Sequence, residues 1–216
     1  MSAAADLTPG RTNVTARPLI AIDGPAGSGK STVSRALATR LGLDRLDTGA
    51  MYRTVTWAAL RRGIDPADAG ALARLARSLT ISVGERVEAD GTDVTEAIRG
   101  PDVSMAVSTV AAHPEVRAVL VTRQRQWVAE HDGGIVEGRD IGSVVLPDAD
   151  LKVYLTAAAG ERARRRSEED AGALARRDRL DSTRRTSPLG VAEGAKVLDT
   201  TDRPVDDIVE EVVGWL

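Results

Sequence analysis

The feature that most constrains this chain is the octapeptide Gly24-Pro25-Ala26-Gly27-Ser28-Gly29-Lys30-Ser31. It matches G-x-x-x-x-G-K-[ST] at every fixed position and lies between an apolar run, residues 18–23, and an amphipathic stretch ending near Leu41. Such an element demands a buried strand that delivers a glycine-rich turn to the start of a helix. There the glycines let backbone N–H groups curl round an anion, and the helix adds the positive end of its dipole. Lys30 is placed to reach the β- and γ-phosphates of a nucleoside triphosphate, and the Ser31 hydroxyl to bind Mg²⁺. Of 29 basic residues only Lys30, Lys152 and Lys196 are lysines. A chain that otherwise uses arginine thus keeps lysine where a compact point charge fits better than a planar fork. With Thr32 following, residues 24–32 form the expected triphosphate site.

The rest of the chain repeats the strand–helix rhythm. Leu46 and Asp47 end a second short strand, and Thr48 starts a helical stretch through Arg62. Strands follow at 134–137, 151–155 and 196–199, with an arginine-rich helical stretch to about residue 185 and a last helix over 204–216. Pro204 suits the first turn of that helix and Asp206-Asp207 its positive end. Alternating buried strands and helices predict a parallel sheet covered on both faces. The rhythm breaks at residues 64–104, where a short helix (67–79) precedes strand-like pieces with Asp90-Gly91 at a hairpin turn. This reads as a small insertion. Residues 104–130 read as helix interrupted near His113-Pro114; His131 reads as part of a turn. Residues 1–17, small, polar and proline-interrupted, read as a flexible tail without a signal peptide.

Composition narrows the chemistry. No cysteine is present and only two histidines, which excludes disulfides and thiolate chemistry and disfavours a His-based metal site. The formal charge of −3 argues against a chain built to coat nucleic acid. No run approaches the ~18 apolar residues of a membrane span, so the expectation is a cytoplasmic protein without membrane or nucleic-acid partners. No N-K-x-D guanine-reading motif follows a late strand, which disfavours a GTPase. The loop alone leaves kinases, switches and motors open.

Charged motifs recur where α/β sheets build their ligand crevice, just after strands. IDGPAGSGKST (22–32), LDTGAMYR (46–53), EGRDIGSVVLPDADLKVYL (137–155) and RDRLDSTR (177–184) together resemble bacterial cytidylate (CMP) kinases, over residue 18 to the C-terminus. The resemblance implies a P-loop NTPase fold: a five-stranded parallel sheet flanked by helices, with a small nucleoside-monophosphate-binding insertion (64–104) and a short helical lid (about 160–185). Residues 18–63 and 105–216 would form the core.

It further implies ATP-dependent phosphorylation of CMP and dCMP, with Mg²⁺, by a monomer. Lys30, Arg139, Arg177 and Arg184 would be catalytic. Thr48, Gly49, Tyr52, Arg53, Ser108, Arg117, Arg139, Asp140, Arg177, Asp181 and Arg184 would bind CMP. Arg53, Arg139 and Arg184 would grip the acceptor phosphate and the transferring group, since guanidinium forks suit phosphate oxygens. Ser108, Arg117 and Asp140 would read the cytosine edge, Tyr52 would pack on the ring, and Asp181 would face the sugar hydroxyls. A carboxylate at Asp140 accepts from the exocyclic amine of cytosine, where uracil presents an oxygen. Another P-loop kinase, for UMP, AMP or a metabolite, and a nucleotide-dependent switch stay as alternatives. Of the nine arginines between 161 and 185, Arg162 is a further candidate near the phosphates. Arg164, Arg165 and Arg166 read as solvated surface or partners of Glu168 and Glu169.

Overall fold

A computed structural model describes residues 17–165, 178–181 and 189–216. Of the expected tail only Arg17 is described, and positions 166–177 and 182–188 of the expected lid, with Arg177 and Arg184, lie outside the described residues.

The strands in chain order are β1 (Leu19–Asp23), β2 (Arg45–Asp47), β3 (Ile81–Val83), β4 (Val87–Ala89), β5 (Thr92–Asp93), β6 (Gly134–Glu137), β7 (Leu151–Thr156) and β8 (Lys196–Asp199). The helices are α1 (Lys30–Leu41), α2 (Thr48–Arg61), α3 (Ala69–Ser78), α4 (Pro101–Ala112), α5 (Pro114–His131), α6 (Ala159–Arg165) and α7 (Val205–Val213). The main sheet is parallel throughout, in the order β2-β6-β1-β7-β8. Its register sets Ile22 beside Glu137, Asp47 beside Glu137 and Asp23 beside Tyr154. The carboxyl ends of four strands therefore reach one edge together, where ligands of open α/β sheets sit.

The period-2 alternation of side chains splits the core into two. Ile20 and Ile22 of β1 join Ile135, Val153 and Leu155 on one face, covered by Val33 and Leu37 of α1 and Ile208, Val209 and Val212 of α7. Ala21, Leu46 and Val136 point to the other face, beneath α2, α3, α4 and α5. With no phenylalanine in the chain, aliphatic side chains fill both.

Local chemistry explains most boundaries. Asp47 caps α2, its Oδ1 accepting from the Ala50 N–H at 3.1 Å, and Asp68 caps α3 through the Ala71 N–H at 2.9 Å. Proline opens both α4 and α5, and extended His113 (φ −73°, ψ 119°) separates them, as the residue before a proline should. His113 Nε2 lies 2.8 Å from the Pro66 carbonyl. In the hairpin, Asp90 (φ 49°) and Gly91 (φ 77°) both take positive φ, the geometry that joins twisted strands β4 and β5 in two residues.

Three expectations need correction. Helix α4 begins at Pro101 rather than Ser104, because the proline and the Gly100 carbonyl, which accepts from the Ser104 N–H, supply an earlier start. His131 is not in a turn but in the last helical turn of α5, stacked on Trp127 at 4.1 Å. Pro204 stands one residue ahead of α7, its carbonyl accepting from the Ile208 N–H. No helix among the described residues is long and apolar enough to cross a membrane.

Candidate active site

The loop from Gly24 to Ser31 runs from the end of β1 into α1, with Gly24, Gly27 and Gly29 at positive φ. Lys30 is buried and its Nζ donates to the Pro25 carbonyl at 2.8 Å. Ser31 and Thr32 lie exposed in the first turn of α1. The outer side of the loop is braced: Thr200 Oγ1 donates to the Ser28 carbonyl at 3.1 Å, and Arg165 donates to Thr200 Oγ1 at 2.9 Å. Arg162 donates to the Ala26 carbonyl and pairs with Asp178, whose Oδ1 accepts from the Ala26 N–H.

Beneath the loop the strand ends bring carboxylates together. Glu137 is buried; its Oε1 accepts from Arg45 at 2.8 Å, while its Oε2 has no hydrogen-bond partner among the described residues. Burial, then repulsion from Asp47, push its pKa up to about 7 against the pull of Arg45, Lys30 and Ser31. Asp23 at the end of β1 accepts from the N–H groups of Ile141 and Gly142, both at 2.8 Å. Burial nevertheless raises it to about 6, the two N–H bonds opposing and the charge of Asp140 adding to the rise. Sequence reasoning gave neither carboxylate a role. The signal was there: an acid closing a buried apolar strand beside the loop.

The residues expected on the acceptor side are held by side-chain contacts. Arg117 (α5) is buried and ion-paired with Asp140, which precedes a π-type turn over Ile141–Val145. The Arg117 guanidinium lies 5.6 Å from the centre of the Tyr52 ring. Ser108 Oγ donates to Asp181 Oδ1 at 3.2 Å, and Arg139 Nε donates to Asp181 Oδ2 at 2.9 Å. Arg139 Nη1 also donates to the Gly24 carbonyl at 3.0 Å, joining this network to the phosphate loop. Arg53 stands further along α2, donating to Ser104 Oγ and the Ile98 carbonyl, both at 3.0 Å. The Thr48 hydroxyl donates to the Glu137 carbonyl at 2.7 Å and so ties the start of α2 to the end of β6; Gly49 follows beside Asp47 Oδ1. Tyr52, Ser108, Arg117, Arg139, Asp140 and Asp181 are thus brought together. Arg164, expected as solvated surface or a partner of Glu168 and Glu169, is largely exposed, and both it and Arg165 bind Glu161 one helical turn back on α6; Glu168 and Glu169 lie outside the described residues.

The loop, the sheet order and the strand-end crevice define the class: a P-loop α/β protein whose glycine-rich loop is delivered by β1 to the start of α1. A gluconokinase from Sinorhizobium meliloti 1021 shares this fold at a TM-score of 0.50 and 15% identity, over 92% of this chain and 91% of that one. Residues 20–216 match the family model described as cytidylate kinase, and the chain belongs to that family. A cytidylate kinase of Mycobacterium avium (strain 104) is 48% identical over 216 residues, covering 92% of this chain and 95% of that protein. A bifunctional pantoate ligase/cytidylate kinase of Parasynechococcus marenigrum (strain WH8102) is 49% identical over 220 residues, 93% of this chain and 44% of that protein. The chain thus spans less than half the length of that relative.

Proposed function

We propose that this chain is a monomeric, cytoplasmic kinase that transfers the γ-phosphoryl group of ATP to CMP or dCMP, giving CDP or dCDP. The observation that carries this reading is Arg139, whose guanidinium spans from the Gly24 carbonyl to Asp181 and the base-side residues around it. A cation at that junction lies between a triphosphate on the loop and a monophosphate in the neighbouring cleft. It would bridge the transferring group and neutralise charge as it moves.

The reaction needs no general base, because a CMP phosphate oxygen is already anionic and attacks the γ-phosphorus in line. Positioning and electrostatics then supply the catalysis. Lys30 leaves the Pro25 carbonyl for the β- and γ-phosphate oxygens. Arg53 and Arg139, with Arg177 and Arg184 from outside the described residues, grip the acceptor phosphate. Tyr52 packs on the base, Ser108, Arg117 and Asp140 face the cytosine edge, and Asp181 meets the sugar. Thr48 and Gly49 form the wall at the start of α2.

A divalent cation fits this site in one way. The described residues contain no group of three or more His, Cys, Asp or Glu side chains able to cage a metal. Ser31 is accessible at the start of α1, and the orphaned Glu137 Oε2 adds a nearby acceptor. Ser31 would therefore hold Mg²⁺ together with the triphosphate oxygens, as Mg²⁺ prefers. Bound there, the ion neutralises phosphate charge.

The test is a coupled assay with ATP and CMP, dCMP, UMP or AMP as acceptor. CMP and dCMP are expected to lead by at least tenfold in kcat/KM. Equal or better turnover of UMP or AMP would overturn the cytosine assignment. Sedimentation with and without nucleotides checks the monomer.

A further inference from the structure

The phosphate loop is gripped from outside at a single residue. Ala26 is fully buried, and both polar atoms of its backbone meet side chains remote in sequence. Its N–H donates to Asp178 Oδ1 at 3.3 Å, and its carbonyl accepts from Arg162 Nη1 at 3.2 Å. Arg162 and Asp178 are themselves an ion pair, each side chain only 17% exposed. Amide, carboxylate, guanidinium and carbonyl therefore close a ring around one residue of the loop. The backbone of α6 seats against the next residue: a Cβ on Gly27, whose φ is 77°, would stand 2.7 Å from the Arg162 carbonyl oxygen. One residue further on, Thr200 holds the Ser28 carbonyl.

Physical chemistry gives this bracket a purpose. A loop whose anion-binding groups are its own N–H groups works only if they converge, yet three of its residues sit at the positive φ that glycine alone adopts freely. Ordering such a segment costs conformational entropy at every residue. A loop ordered beforehand spares its ligand that cost. The partly buried pair is the part of the bracket that engages both peptide groups flanking the Ala26 Cα, and so sets the orientation of two successive planes. Arg162, expected near the phosphates, has its charge met by Asp178 and its direction fixed by a carbonyl of the loop.

We propose that Arg162 and Asp178 are positioning residues for the triphosphate: by clasping the Ala26 backbone on both sides of its Cα they hold the phosphate loop in its nucleotide-ready shape. The inference takes its two substrates from the reading above. Its consequence is one-sided: the clasp acts on ATP and leaves CMP alone. Neither residue belongs to the phosphate motif or to the acceptor network.

Calorimetry with the Mg²⁺ complex of the non-hydrolysable β,γ-imido analogue of ATP tests this on the full chain. Asp178→Ala and Arg162→Ala are each expected to weaken the analogue about tenfold, and the double variant no more than either alone, because the ring is lost once. Asp178→Asn keeps an oxygen for the Ala26 N–H and should lose only about threefold. CMP binding should stay within twofold throughout, and in turnover the ATP KM should rise while the CMP KM holds. An unchanged analogue affinity, a fully additive double variant, or equal weakening of CMP and analogue would each overturn the proposal. Should either alanine variant unfold, Asp178→Asn and Arg162→Lys complete the same cycle with their neighbours retained. Analogue binding needs no acceptor, so it reads the clasp even if the acceptor panel rejects CMP.

Discussion

The two halves of the cleft are built from different material. Under the proposed function, the groups offered to a triphosphate on the donor side are backbone N–H groups and one lysine, contributed by eight consecutive residues. On the acceptor side they are side chains from α2, α4, α5, the end of β6 and residue 181, already bonded to one another. A backbone site changes little when its one side chain is trimmed. A network of buried ions is part of the fold, and losing one member strands the others. The donor half therefore separates binding from stability, whereas the acceptor half couples them.

The sharpest way to break this contrast is Asp140→Ala. It leaves the Arg117 guanidinium buried without its carboxylate, so a stability loss of about 3–5 kcal/mol in denaturant titration is expected together with loss of CMP turnover. Next comes Lys30→Met, with an expected fall in kcat of about 10²–10³-fold but a stability change of about 1 kcal/mol or less. If Lys30→Met unfolds the protein as readily as Asp140→Ala, the contrast fails.

The third prediction concerns pH. Asp23 and Glu137 titrate at about 6 and about 7 in the folded protein, above the ordinary carboxylate range. The folded state thus holds protons that the unfolded chain releases. Their contribution to stability is full below the unfolded pKa of about 4 and is lost as pH rises through about 6 to 7. Between pH 5 and 8, the nucleotide-free protein is expected to lose on the order of 2 kcal/mol relative to Glu137→Gln. Parallel stability curves for the two proteins would refute this. The smallest effect is Ser104→Ala, which removes one of the contacts orienting Arg53. The CMP KM should rise about threefold with the ATP KM unchanged, and Ser104→Thr should restore it.

The same contrast explains what could be read from the sequence. The donor loop was legible because its geometry is local: eight contiguous residues, glycine where φ must be positive, a strand before and a helix after. Asp90-Gly91 and His113-Pro114 were legible for the same reason. The clustering of Asp23, Asp47 and Glu137 was not, since three strand ends meet only once the sheet order β2-β6-β1 is known. The pairing of Arg164 and Arg165 with Glu161, one turn back on the same helix, has no mark in a run so rich in both charges. The bond from Asp178 to Ala26 spans 152 positions and has no local signature. Tyr52, Arg117 and Asp140 came from resemblance, and their contact with one another is a property of the folded chain alone.

The small antiparallel sheet carries a consequence for engineering. Val87, Ala89, Val94 and Ile98 sit in the same cluster as Val55 of α2, Leu120 of α5 and Val136 of β6. Residues 64–104 therefore share the interior of the main body, although their break in rhythm marks them off in the sequence. Grafting the corresponding segment from a relative to retune acceptor choice would import half of a jigsaw. The donor's counterparts of Val55, Leu120 and Val136 would have to travel with it, so the transplantable unit is the packed cluster and not the contiguous stretch.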